Sequence, residues 1–208
     1  MNLASTPVFH VAHGAPPHGH LFRLPSLSHL QPRHFSPALV RPDTRQALQV
    51  IAQVIRSAHS GRLPLFAATL GLPSDEFREL LHEDVQHLTP RVSPRLLESW
   101  LPEHFSALAG LMLAHRVGDD PVARWLGYAI AAACHGGLHL WQNLGLDSRS
   151  DLSRLIAEWF PDLFRLNTDD LKWRRFLYLQ LGRRLGLPEL RPPACAGCAG
   201  YRACFPSA

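Results

Sequence analysis

From Asp43 onward, apolar residues recur at three- and four-residue intervals, the period of amphipathic helices. In TRQALQVIAQVIRSA this sets Leu48, Ile51, Ala52 and Ile55 on one face. GLPSDEFRELLHE has Pro73, a Ser74 cap, and Asp75 and Glu76 in the first turn, where acids favour the helix dipole. SPRLLESWLPEHFSALAGLMLAHR predicts two helices broken near Pro102. DDPVARWLGYAIAAAC opens with an acidic cap and a first-turn proline, and runs to the Gly136–Gly137 pair. SRSDLSRLIAEWF and NTDDLKWRRFLYLQLG complete the set, the second capped by Asn167. No segment alternates apolar and polar residues as a strand would, and no internal repeat is present. The pattern predicts one all-α domain over residues 43–186, with a loop-rich cysteine tail at 187–208.

The first 42 residues break this texture. They hold seven prolines, six histidines and no acid, and their apolar residues follow no period, which predicts a flexible arm. His10, His13, His18, His20, His29 and His34 are weak metal-binding candidates within it. MNLASTPVFH lacks the basic patch and apolar run of a secretory signal. No stretch approaches the roughly 18 apolar residues of a membrane span. The expectation is a cytoplasmic protein without a membrane partner, in which clustered cysteines stay reduced.

Charge is uneven. From Leu171 to the end, seven basic residues face one acid, a formal +6 over 38 residues. Such a field attracts oxyanions or acidic partners, or is a solvated basic face. It lacks the interleaved aromatics of a nucleic-acid binder, so none is expected. No nucleophile, acid–base pair or phosphate loop stands out, and an enzyme is not expected.

The tail concentrates the chemistry. Three of the four cysteines stand as Cys195-x2-Cys198-x5-Cys204, separated by alanines and glycines. Thiolates are soft donors that suit zinc, copper(I) or iron–sulfur clusters. Nearby arginines such as Arg191 and Arg202 favour the deprotonated form. Three readings stand on the residues alone. One is a cluster site. The second is zinc held by Cys195, Cys198 and one or both of His135 and His139, in a helical interaction module. The third is a set of unligated thiols.

HLWQNLGL, the Phe160-Pro161, Phe164 and Asn167 segment, LKWRRFLYLQL and the terminal cysteine motif follow one another in an order that resembles one family, NifQ. The resemblance covers residues 63–205, is strongest from His139, and includes GLPSDEFRELL more loosely. It implies an iron–sulfur carrier for nitrogen fixation that acquires molybdenum in a mixed Mo–Fe–S cluster. Delivery would be to the cofactor-assembly scaffold and the nitrogenase iron protein, for iron–molybdenum cofactor biosynthesis. The family motif is C-x4-C-x2-C-x5-C; Cys195, Cys198 and Cys204 match its last three positions, and Leu190 replaces the first. Gly182 likewise stands where the resemblance implies cysteine.

Two consequences compete. Three thiolates hold a three-iron cluster, or a cubane with an open corner suited to exchange. Alternatively the site is degenerate and binds metal weakly. Cys134, His135 and His139 are candidate additional ligands or pocket residues. Lys172, Arg174 and Arg175 are candidate attractors of molybdate, with ordinary solvation as the competing reading. Trp141, Leu144 and Trp173 are expected to pack the core, and Gln142 to line the site or hydrogen-bond. An electron-transfer protein is a further reading of the same thiols.

Overall fold

Local capping explains where the principal helices begin. In the computed structural model, which describes residues 42–83, 93–195, 197 and 201–205, α1 (Thr44–His59) starts where the Asp43 side chain accepts the Gln46 N–H at 3.1 Å. Its apolar stripe is buried: Ala47, Val50, Ile51, Val54, Ile55 and Ala58. A 3-10 turn (Leu65–Thr69) follows, then α2 (Ser74–Leu81), α3 (Pro94–Glu98) and α4 (Phe105–Ala114). The break at Pro102 falls between α3 and α4, where His104 adopts a left-handed φ of 63°. α5 (Pro121–Ala133) is capped by Asp120, which accepts the Val122 N–H at 2.8 Å.

α5 is the central element. Ten of its thirteen residues are buried, and it packs against α1 on one side and α4 on the other. Short α6 (Leu140–Asn143) leads to α7 (Arg149–Trp159), capped by Ser148, and directly to α8 (Pro161–Leu166). α9 (Trp173–Leu185) lies against α4. A 3-10 turn (Pro193–Cys195) and α10 (Tyr201–Cys204) form the described part of the tail. Trp125, Trp159, Tyr178, Phe77, Phe105 and Phe160 are the largest fully buried side chains of one continuous core. At roughly 25 cal/mol per Å² of apolar surface, such residues dominate the folding free energy.

The architecture is all-α: every element among the described residues is helical. These residues belong to one compact unit, Leu39–Ala208. Among them no helix is long and apolar enough to cross a membrane. The arm expected over residues 1–42, with its histidines, lies outside the described residues apart from Pro42.

Two capping expectations need correction. Ser74 is the first helical residue of α2 rather than its cap; Pro73 holds that position, and the Ser74 hydroxyl donates to Glu98 on α3. Asn167 does not cap α9. Its amide closes a loop, donating to the Leu171 carbonyl and accepting the Leu171 N–H, both at 3.0 Å. Asp170 then takes a left-handed φ of 47° and interrupts the helical path, so α9 starts six residues beyond Asn167, at Trp173.

Candidate metal centre

The site is built around the turn that follows α5. Gly136 lets this turn pack closely: a Cβ there would lie 2.4 Å from Leu63 and 2.5 Å from the Asn143 amide nitrogen. The carbonyls of Ala133 and Leu138 are then each claimed twice. Asn143 Nδ2 donates to them at 2.9 and 3.3 Å. Arg174 Nη2, from the first turn of α9, donates at 3.4 and 2.7 Å respectively. Arg174 is consequently only 8% exposed. The solvated reading of this arginine is overturned: its cation is buried, with part of its guanidinium latching the turn.

Beside this latch is a cavity of about 230 Å³. Cys195 and Cys204 line it, as does His139. Arg149, Lys172, Arg174 and Arg175 contribute to the same wall, with no Asp or Glu among the lining residues. Lys172 and Arg175 thus border one cavity together with Arg174, as residues near one helix start do. Trp141 and Trp173 supply apolar wall as well as packing; Trp173 is 4% exposed and its indole N–H donates to Ser153 at 2.8 Å. Leu144 is fully buried, as expected of a core residue. Gln142 has a local task, accepting the His139 backbone N–H at 3.1 Å.

The tail reaches the cavity through arginine–aromatic stacking. Arg175 and Arg191 lie 5.2 and 5.3 Å from the centre of the Phe205 ring, and Tyr201 contacts Phe205 at 5.0 Å. Each such cation–π contact contributes about 0.5–1 kcal/mol at exposed sites. Together they seat α10, and with it Cys204, beside α9. Cys198 lies outside the described residues. Among the described ones, no three His, Cys, Asp or Glu side chains come together to hold a metal.

The remaining candidates separate. Cys134 is fully buried behind this region and does not line the cavity. Burial pushes its thiol up to about 12, with the Arg174 cation opposing and the Cys195 charge adding to the rise. Tyr178 is raised as well, chiefly by burial and then by the charges of Cys134 and, more weakly, Cys195. His135 turns away from the cavity, packing edge-on against Phe66 at 5.5 Å and near Phe105. The Gly136–Gly137 turn therefore sends His135 and His139 to different surroundings.

Burial, reinforced by the Arg174 cation, lowers His135 to about 4. Its unfolded counterpart titrates near 6.5, so between those values the unfolded chain binds the extra proton. Stability contributed by neutral His135 is complete above pH 6.5 and is lost as pH falls toward 4. In urea titrations we expect a slope of up to about 1.4 kcal/mol per pH unit from this proton. The slope should be smaller in His135→Gln; an unchanged slope would contradict this origin.

Leu190, at the first motif position, and Gly182, where the resemblance also implies cysteine, lie against each other. Gly182 is buried within α9, and a Cβ there would lie 2.4 Å from the Leu187 carbonyl oxygen and 3.2 Å from the Leu190 Cβ. α9 ends at Gly186, with φ of 70°, and the Leu187 N–H returns to the Gly182 carbonyl at 2.8 Å. This folded-back turn carries the chain toward the cysteines. Leu190 packs on the core and lines a separate hollow of about 150 Å³ with Arg175 and Phe205. It is not part of the thiol cavity.

The NifQ family profile matches residues 50–206, which takes in the helices around the cavity and the tail. The chain belongs to the NifQ family. It is 32% identical over 190 residues to Protein NifQ of Azotobacter vinelandii, covering 82% of this chain and 97% of that relative. Protein NifQ of Rhodobacter capsulatus is 32% identical over 163 residues, 75% of this chain and 86% of the relative. A NifQ homolog of Sinorhizobium fredii is 30% identical over 160 residues, covering 76% and 69%. No solved structure matches the chain. With NifQ membership established, the resemblance read from HLWQNLGL to the tail holds at the level of the family.

Sequence reasoning missed Arg149 and Tyr178. Arg149 is held by Asp170, 21 residues away. No local pattern signals such a pair.

Proposed function

We propose that this protein is a non-enzymatic carrier. It takes up molybdenum in a mixed Mo–Fe–S cluster and passes it to nitrogenase iron–molybdenum cofactor assembly. NifQ membership supports the broader role in nitrogen fixation and molybdenum supply. The observation that carries the finer reading is the shared cavity of Cys195 and Cys204, walled by four cations and no carboxylate. Thiolate-bound clusters are anionic, and cations around them favour cluster retention.

In this reading Cys195, Cys198 and Cys204 hold the cluster, which is the cargo. Leu190 supplies no fourth thiolate, leaving one metal corner open to an outside ligand. An open corner suits a carrier, because exchange needs a displaceable ligand. The assembly scaffold and the nitrogenase iron protein are the expected recipients.

Anaerobic purification with iron, molybdenum, zinc and acid-labile sulfide analysis, joined to electron paramagnetic resonance, tests the proposal. Iron and sulfide in comparable amounts, with molybdenum appearing after molybdate is supplied, are expected. One zinc per chain without sulfide would sink the cluster reading in favour of a zinc-stabilised module. Iron and sulfide that never accept molybdenum would leave an electron carrier.

A further inference from the structure

The cavity holds a second feature that thiol ligation does not use. Arg149 Nε and Arg174 Nε are both shielded from solvent and without a hydrogen-bond partner, and both side chains line this cavity. Three of their four terminal nitrogens are already engaged. Arg149 Nη1 and Nη2 donate to the Asp170 carboxylate, and Nη2 also to the Leu171 carbonyl. Arg174 Nη2 serves the two carbonyls of the α5 turn. A buried donor on a cation is costly to leave unsatisfied, by about 1–3 kcal/mol or more.

The start of α9 points the same way. No side chain caps its first turn, and Lys172, Trp173, Arg174 and Arg175, which form that start, all border the cavity. An uncapped helix N-terminus carries partial positive charge and free N–H groups, an arrangement suited to anions. Among the described residues, no ion pair involves Lys172, Arg174 or Arg175. The cavity is several times the roughly 30 Å³ share of one water molecule. Its Leu and Trp walls lower the local dielectric and strengthen each charge.

We propose that this cavity binds a tetrahedral oxyanion at the start of α9, beside the thiols of Cys195 and Cys204. Donors there come from two helices, α7 and α9, and suit an anion that presents acceptors in every direction. Arg174 is the fixed anchor, because its latch to the α5 turn holds the guanidinium in place. Lys172 and Arg175 supply charge that draws the anion in. The identification of that anion as molybdate rests on the carrier reading; the site itself does not.

Equilibrium dialysis of the metal-free full-length protein against molybdate, sulfate and phosphate tests this. Saturable binding of one anion per chain is expected, weakening as ionic strength rises. Lys172→Gln and Arg175→Gln should each lower affinity about tenfold, with unchanged far-ultraviolet circular dichroism. Arg174→Lys should abolish binding, and if that variant does not fold, the exposed Lys172 variant still decides the matter.

Arg56→Gln, which removes an exposed cation on α1 outside the cavity, should bind the anion as wild type does. Preference for molybdate supports its assignment as the cargo precursor, and equal competition by sulfate supports a general tetrahedral site. Absence of saturable binding for all three anions would overturn the proposal. So would wild-type affinity in the Lys172→Gln/Arg175→Gln double variant, or an equal loss of affinity in Arg56→Gln. Should the purified protein carry zinc and no sulfide, the carrier reading fails, while anion binding is still read independently on the metal-free chain.

Discussion

Replacing Cys195 or Cys204 by serine is expected to reduce iron and acid-labile sulfide in anaerobically purified protein to background. Serine offers a harder oxygen that stays protonated at neutral pH, so it is a much poorer donor to a cluster iron than a thiolate. Both cysteines are only partly buried. In the metal-free protein, then, each substitution should change stability by less than about 0.5 kcal/mol. Loss of cluster without loss of fold is the signature of a ligand. Cys198→Ser should behave in the same way.

Cys134→Ser supplies the contrast. That thiol is fully buried, stays protonated and does not line the cavity. The variant should retain iron and sulfide while losing about 1 kcal/mol, because a more polar hydroxyl replaces a thiol in an apolar setting. Loss of cluster in Cys134→Ser would instead make Cys134 the fourth ligand. Wild-type iron content in Cys195→Ser would remove that residue from the site.

Gly182→Ala should lower stability by about 2–3 kcal/mol, at the upper end of the overpacking range. The added methyl would meet the Leu187 carbonyl oxygen at 2.4 Å. Backbone held by the return bond to Gly182 cannot yield as a flexible side chain does. The turn that leads to the cysteines must therefore shift, and cluster loading should fall along with the urea midpoint. Gly182→Cys is expected to be at least as damaging here, because the turn and Leu190 already fill that space. A midpoint equal to wild type would mean that the turn relaxes freely and does not position the tail.

Much of the fold was legible because its causes are local. The Asp120 cap, Pro121 in the first turn, and the stripe from Leu48 to Ile55 each act within a few residues. Periodicity could therefore locate α1 and α5 correctly. Asn167 shows where this fails. A cap and a loop clamp use the same amide, and only the left-handed Asp170 separates them.

The candidate site divides along the same line. The cysteine spacing and the basic balance of the last 38 residues could be read directly from the chain. They pointed to a thiol tail of the kind that suits a soft metal, and the ordered stretches around HLWQNLGL pointed to the NifQ family, because covalent order alone carries both signals. Arg174 looked like one more solvated charge, since its partners Leu138 and Ala133 lie 36 and 41 residues away. Folding settled which cations are buried and which thiols share a wall with them. It sent His135 and His139 to different places across two glycines, and brought Gly182 and Leu190 into contact. Those outcomes depend on packing between distant segments, where burial and close approach set the energies. A local pattern has no means of expressing them.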